Sequence, residues 1–188
     1  MARIKSICVY CGSSNDVKPA YLRLATELGR TLAQRGLRMV YGGGGVGLMG
    51  ACARAAHGDG GEVLGIMPKF LLHKERVFEE VEHRIVEDMH TRKQMMFDES
   101  DAFITLPGGI GTLEEAVEML SWARLGLHAK PMAFLDEDDF WGPFFELMDH
   151  IIDGKFTPEE FRSNLVHVDT PEMAISALED RIVVLDQD

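Results

Sequence analysis

The sequence predicts an α/β fold: a single Rossmann-like domain with a doubly wound parallel sheet and helices on both faces. Three observations lead there. Strand-like and helix-like segments alternate along the chain. The strand-like segments are short and nearly all apolar, as expected where helices cover both faces of a parallel sheet. Glycine-rich stretches stand where two of those strands give way to helices, at the sheet edge where such folds gather ligands.

The elements follow in order. Residues 4–10 are a β-rich apolar run. Residues 19–34 carry Tyr21, Leu24, Ala25, Leu28 and Leu32 at helical spacing, and Gly36 stops that helix. A second strand at 37–41 leads into a helix of small residues at 48–57. A third strand at 62–67 ends at Pro68, and a fourth lies at 83–87. A helix at 89–99, a strand at 102–106 and a helix at 113–125 come next. Strand 131–135, helix 140–152, strand 164–168 and helix 171–178 complete the pattern. No linker or repeat interrupts it, so residues 1–188 read as one domain with its core at about 4–178. Residues 185–188 are expected as a solvated acidic tail.

Composition narrows the function. A chain of 188 residues, 46% hydrophobic and 27% charged, is an ordinary globular protein. A net charge of −12 argues against a nucleic-acid partner, which requires a basic face. No apolar run approaches membrane-spanning length and no signal-like segment opens the chain, so no membrane association is expected and the cytoplasm is the expected location. Three cysteines make no disulfide framework. Cys8 and Cys11 form a C-x-x-C, but a spacing of three puts them on opposite faces of a strand, which suits buried thiols rather than a metal or redox pair. The seven histidines show no zinc-ligand spacing, and no metal is expected.

The stretch Leu106-Pro107-Gly108-Gly109-Ile110-Gly111-Thr112-Leu113-Glu114-Glu115 carries the most information. Glycines between a strand and a helix let backbone N–H groups turn toward a ligand, and the helix N-terminus adds partial positive charge. The place suits a phosphate. Glu114 and Glu115 are expected in the first helical turn, beside that phosphate. Thr112 and Glu115 also fit a capping box, in which Glu115 reaches back to the Thr112 backbone N–H. Both roles for Glu115 stand open at this point. Glu118 and Glu146 are expected on exposed helix faces, and Met95, Met96, Phe97, Met119 and Leu120 in the core.

Three further stretches point to the same sheet edge. Gly45, Gly47 and Gly50 satisfy G-x-G-x-x-G, yet they follow the second strand and lack the ribose-binding acid about twenty residues on. Close backbone approach to a nucleotide or phosphate, or tight helix packing, explains them better than a dinucleotide. No Gly-Lys-Ser/Thr ending marks a Walker loop. The first strand ends in Cys11-Gly12-Ser13-Ser14-Asn15, whose hydroxyls serve either a polar ligand or a turn. Met89-His90-Thr91-Arg92-Lys93 puts two cations at a helix start, against the usual dipole preference, and so points to a functional use.

Together these motifs resemble the LOG ("Lonely Guy") family of cytokinin riboside 5′-monophosphate phosphoribohydrolases. Pro107 to Glu115 match its P-G-G-x-G-T-x-x-E, and Met89-His90-x-Arg92-Lys93 its M-H-x-R-K. The run from Gly42 to Gly50 matches its glycine loop, and Cys11-Gly12-Ser13-Ser14 the end of its first strand. Family members have often carried the label lysine decarboxylase, but no lysine here stands in a pyridoxal-phosphate context.

The resemblance implies hydrolysis of the N-glycosidic bond of a nucleoside 5′-monophosphate, a cytokinin riboside monophosphate or AMP, to free base and ribose 5-phosphate. It implies Arg92 and Glu115 as the catalytic pair. Gly108, Gly109, Gly111 and Thr112 would grip the 5′-phosphate, and Gly43, Gly44 and Gly45 would line the nucleotide. Ser13, Ser14, Lys93, Glu114 and Ser121 would make secondary contacts. Glu75 would supply a further substrate-binding acid, in a stretch a few residues longer than in plant-type members. No metal or cofactor is required, and a homodimer or larger homo-oligomer is implied. An alternative on the same fold is a non-catalytic nucleotide or molybdenum-cofactor carrier, which would keep the glycine loops without needing Arg92 opposite Glu115. A remoter one is a dinucleotide-dependent oxidoreductase.

Overall fold

The structure is a computed structural model that describes residues 3–72 and 76–185, with the side chains of 183–185 outside that description. Among the described residues, seven strands form one sheet: β1 (Ser6–Tyr10), β2 (Arg38–Tyr41), β3 (Val63–Pro68), β4 (Glu82–Val86), β5 (Ala102–Thr105), β6 (Met132–Leu135) and β7 (Val166–Val168). Their spatial order is β4-β3-β2-β1-β5-β6-β7, and every neighbouring pair is parallel. The helices are α1 (Pro19–Gln34), α2 (Gly47–Gly58), α3 (Met89–Asp98), α4 (Ile110–Arg124), α5 (Gly142–Asp153) and α6 (Pro171–Leu185). No described helix is long and apolar enough to cross a membrane.

The apolar strands are explained by two cores, one on each face. Alternate residues of β1 divide between them. Ile7 and Val9, with Cys11 just beyond, pack with α1, α2 and α6, whereas Cys8 and Tyr10 pack with α3, α4 and α5. The two thiols of C-x-x-C thus lie on opposite faces, both buried, as the spacing requires. Burial raises the pKa of each. The strands β1, β3, β5 and β6 are buried throughout, while edge strand β4 exposes Glu82 and Ile85. Met96, Met119 and Leu120 are core residues with Met95 and Phe97 packed beside them, as expected. Gly29 lets α1 lie against α2, since a Cβ there would stand 2.2 Å from the Cys52 carbonyl oxygen.

Strand order reverses between β1 and β5, and there the chain leaves the sheet in opposite directions. The two exits are stitched together: Leu106 donates its N–H to the Tyr10 carbonyl at 2.9 Å, and Gly12 to the Pro107 carbonyl at 3.1 Å. The loops after β1 and β5 consequently border one crevice at the carboxyl ends of the strands, where doubly wound folds bind ligands.

Several boundaries differ from the sequence reading. Helix α4 begins at Ile110 with Gly109 as its N-cap, three residues before the expected start. Glu114 and Glu115 therefore fall in its second turn. Helix α3 is capped by Asp88, whose carboxylate accepts from the Thr91 N–H at 2.8 Å. Helix α5 starts late because buried Asp136 gathers the N–H groups of Asp138, Phe140 and Trp141 into a turn. Helix α6 continues to Leu185, past the expected end at 178 and into the first residue of the tail expected at 185–188, whose other three residues lie outside the described ones.

Candidate active site

A cleft of about 250 Å³ opens at the strand-order reversal. Its floor is the N-terminus of α4. No side chain caps that helix, so the first backbone N–H groups, of Ile110, Gly111 and Thr112, have neither an intrahelical nor a capping acceptor. A Cβ added at Gly109 or Gly111 would meet nothing within 4 Å, so neither glycine is required by packing against protein. Both line the cleft with Thr112. Gly108 is different: a Cβ there would collide with the Thr112 side chain, so Gly108 and Thr112 close the turn that aims the N–H groups. Free donors, open space and a positive helix end give this floor the form of a cradle suited to an anion.

Beside the cradle lies a buried ion pair. Arg92 comes from the end of the first turn of α3 and Glu115 from the second turn of α4. Arg92 Nη1 donates to Glu115 Oε1 at 3.0 Å, and Arg92 Nε donates to the Ile66 carbonyl near the end of β3 at 3.1 Å. Each side chain is only 7% exposed. Burial pushes the Glu115 carboxyl above the usual carboxylate range, Arg92 opposes that rise most strongly, and Glu114 adds to it. A guanidinium held at two of its nitrogens faces a carboxyl with raised proton affinity, a pairing suited to general acid–base work and to stabilising positive charge.

The capping box is not formed. Thr112 is the third residue of α4 rather than its cap, and the Glu115 carboxylate takes Arg92. Lys93 turns the other way from Arg92 and clamps two acids, donating to Glu114 at 2.7 Å and to Glu118 at 2.9 Å. Burial lowers the pKa of Lys93, but the two carboxylates together outweigh this and raise it. Glu118, expected on an exposed face, is therefore part-buried in this ion-pair group, while Glu146 is exposed as expected.

The structure divides the remaining site residues. Cys11, Gly12, Ser13 and Glu114 line the cleft with Arg92 and Glu115. Ser14 faces an adjoining hollow bordered by Val17, Tyr21 and Phe140, and its hydroxyl accepts from the Asp16 N–H at 3.1 Å. Gly43, Gly44 and Gly45 do not line the cleft. Gly43 takes φ +82° against Met67 and His83, Gly44 bridges Val77, and Gly45 donates to the Arg76 carbonyl. The G-x-G-x-x-G glycines serve packing: a Cβ at Gly47 would strike the Ser13–Ser14 backbone, and one at Gly50 the Gly45 carbonyl. Ser121 is exposed and lies about 14 Å along α4 from Thr112, away from the cleft. Glu75 lies outside the described residues.

Sequence reasoning passed over the apolar wall. Met49, Leu71 and Met89 also line the cleft. Met49 and Met89 sit inside motifs read for other residues, and Leu71 sits in a short 3-10 turn, Lys69–Leu71, that no pattern marked. Asn15 was likewise a missed structural residue. Its side-chain oxygen accepts the Gly47 N–H at 2.8 Å and fixes the start of α2.

The raised proton affinity of Glu115 has a consequence for stability. The folded protein binds this proton more tightly than the unfolded chain, so the group's contribution falls as pH rises from the ordinary carboxylate range through the raised value. Removing Arg92 deletes the largest charge opposing that rise. Arg92→Ala is expected to cost about 3–5 kcal/mol near neutral pH and above, and less near pH 5. Urea denaturation of wild type and variant across this range checks it, and a loss independent of pH would contradict the pairing.

Comparison with known proteins accords with this geometry. A family described as "possible lysine decarboxylase" matches residues 49–178. The cytokinin riboside 5′-monophosphate phosphoribohydrolase LOG of Oryza sativa subsp. japonica is 43% identical over 182 residues, covering 96% of this chain and 75% of that protein. The Arabidopsis thaliana phosphoribohydrolase LOG7 is 42% identical over 180 residues, covering 95% and 83%. Among solved structures, the molybdenum cofactor carrier protein of Chlamydomonas reinhardtii superposes with a TM-score of 0.72 at 20% identity, over 96% of this chain and 99% of that one. The molybdenum cofactor binding protein of Rippkaea orientalis gives 0.67 at 22%, over 100% and 98%. At such identity the structures share the fold alone. The sequence relatives go further: this chain belongs to the LOG family, and it is an enzyme of the phosphoribohydrolase class.

Proposed function

We propose that the protein hydrolyses the N-glycosidic bond of a cytokinin riboside 5′-monophosphate or of AMP, giving free base and ribose 5-phosphate. One observation carries the reading: a buried Arg92–Glu115 pair beside an uncapped, glycine-lined helix N-terminus. The 5′-phosphate rests on the N–H groups of Ile110, Gly111 and Thr112, which brings the ribose toward Glu115. The base lies against Met49, Leu71 and Met89, a wall that favours flat or apolar groups. Breaking the bond sends its electron pair to the base nitrogen and leaves positive charge on the ribose, which the Glu115 carboxylate stabilises. Water adds at the anomeric carbon, Glu115 takes its proton and passes it to the departing base nitrogen, so the base leaves neutral and Glu115 returns to its starting state. Lys93 neutralises Glu114 and Glu118, which would otherwise repel the phosphate.

Glu115→Gln keeps the shape of the site and removes the charge. It is expected to lose base release by about 100-fold or more, while affinity for inorganic phosphate stays within about threefold. Incubating variant and wild type with AMP and with isopentenyladenosine monophosphate, then measuring free base, tests this. A variant that releases base at the wild-type rate would remove Glu115 from the reaction.

The protein works as a homodimer in this reading. The surface of α4 exposes Ile110, Val117 and Leu125 along one stripe, followed by Leu127 in the next loop. Ser121 shares that stripe, so it would contribute at the subunit boundary rather than in its own cleft. Light scattering is expected to give the dimer mass for wild type and the monomer mass for Val117→Lys/Leu125→Lys. A wild-type monomer would contradict the dimer.

A further inference from the structure

Arg92 is held at Nε and Nη1, but no described protein group accepts from its Nη2. That edge of the guanidinium lies against Gly42, the residue that follows β2. A Cβ built on Gly42 would stand 2.1 Å from Arg92 Nη2 and 3.3 Å from Arg92 Cζ, with Met49 Cε next at 3.5 Å. All three nearest atoms belong to side chains; backbone does not obstruct the position. Gly42 is also absent from the residues with positive φ, so its backbone conformation is open to any residue. Its neighbour Gly43, by contrast, needs glycine for its φ of +82°. Among the described residues, the atoms that a Cβ at position 42 would crowd below ordinary contact distance belong to the Arg92 guanidinium.

We infer that Gly42 is a positioning residue for the reaction: it leaves the space in which the Arg92 guanidinium lies flat, paired with Glu115 and with Nη2 free for a substrate oxygen. The inference rests on the hydrolase reading above. A methyl group at position 42 pushes the guanidinium by about 1 Å or more to restore ordinary contact. A flexible side chain moves at little cost to the fold. The bonds to Ile66 and Glu115, however, fix where Nη2 points, and they do not survive the shift in the same geometry. Displacements of that size in a catalytic group cost about 100-fold in rate.

Gly42→Ala is therefore expected to fold with a melting temperature within about 3 °C of wild type. Its kcat for base release should fall about 100-fold, with KM for the nucleotide changed less than about threefold. The Arg92 Nε–H resonance, read by NMR without substrate, should shift as its bond to the Ile66 carbonyl changes. Adding Gly42→Ala to Arg92→Ala should cost no further activity, because the two act through one group. A wild-type kcat with an unmoved Arg92 resonance overturns the inference, as does a further loss in the double variant. If Gly42→Ala fails to fold, the double variant is compared with Arg92→Ala alone: equal stability of the two identifies Arg92 as the obstacle, and a double variant less stable than Arg92→Ala overturns the assignment. The hydrolase reading fails separately. Full activity in Arg92→Ala removes Arg92 from the reaction, whereas an inactive Arg92→Ala beside a fully active Gly42→Ala removes Gly42 alone.

Discussion

The site depends on keeping two opposite charges out of water. Burying a guanidinium and a carboxylate is costly, and their attraction offsets that cost only where further hydrogen bonds and close geometry hold them. Here four parts of the chain supply the conditions. Helix α3 brings Arg92, α4 brings Glu115, β3 lends the Ile66 carbonyl, and Gly42 after β2 leaves the room. These parts are distant in sequence. They meet because the strand order reverses between β1 and β5, which places the ends of β1, β2, β3 and β5 around one crevice. The parallel sheet is thus the means by which a pair 23 residues apart becomes one chemical group.

Electrostatics across the cleft then falls into three layers. The α4 N-terminus offers uncommitted N–H donors and a partial positive charge. Arg92 and Glu115 sit beside it, and Lys93 binds Glu114, which lines the cleft, together with Glu118 behind it. The net charge of −12 is a property of the whole chain, whereas the cleft itself sets a helix N-terminus and Arg92 beside its acids. In the same arrangement burial raises the proton affinity of Glu115 and Arg92 opposes that rise.

Much of this was legible in the sequence. Alternating segments and apolar strands gave the sheet its parallel, two-faced character, and glycines at strand ends marked the crevice. Residues 107–115 were legible as a strand-to-helix junction with an acid beside it, and they do form the uncapped start of α4 next to Glu115. Less legible were features set by contacts across the fold. Thr112 and Glu115 fit a capping box by spacing, but capping is decided by where the helix starts, and Gly109 takes that place. Gly43, Gly44 and Gly45 looked like a nucleotide loop, yet they pack against β3, β4 and residues 76–78. Gly42 shows its role only when the Arg92 guanidinium is seen beside it. Glu118 looked exposed because a helix pattern cannot reveal a lysine arriving from the neighbouring helix. Leu71 and the methionines of the cleft wall have no spacing that separates them from core residues.

The central claim is that the α4 cradle holds a 5′-phosphate so that the glycosidic bond reaches Arg92 and Glu115. Comparing turnover of isopentenyladenosine monophosphate with that of isopentenyladenosine, identical but for the phosphate, tests it most directly. The account predicts free base from the nucleotide and almost none from the nucleoside, since the remote phosphate supplies the positioning. Equal turnover of the two, or no base from the nucleotide, would contradict it.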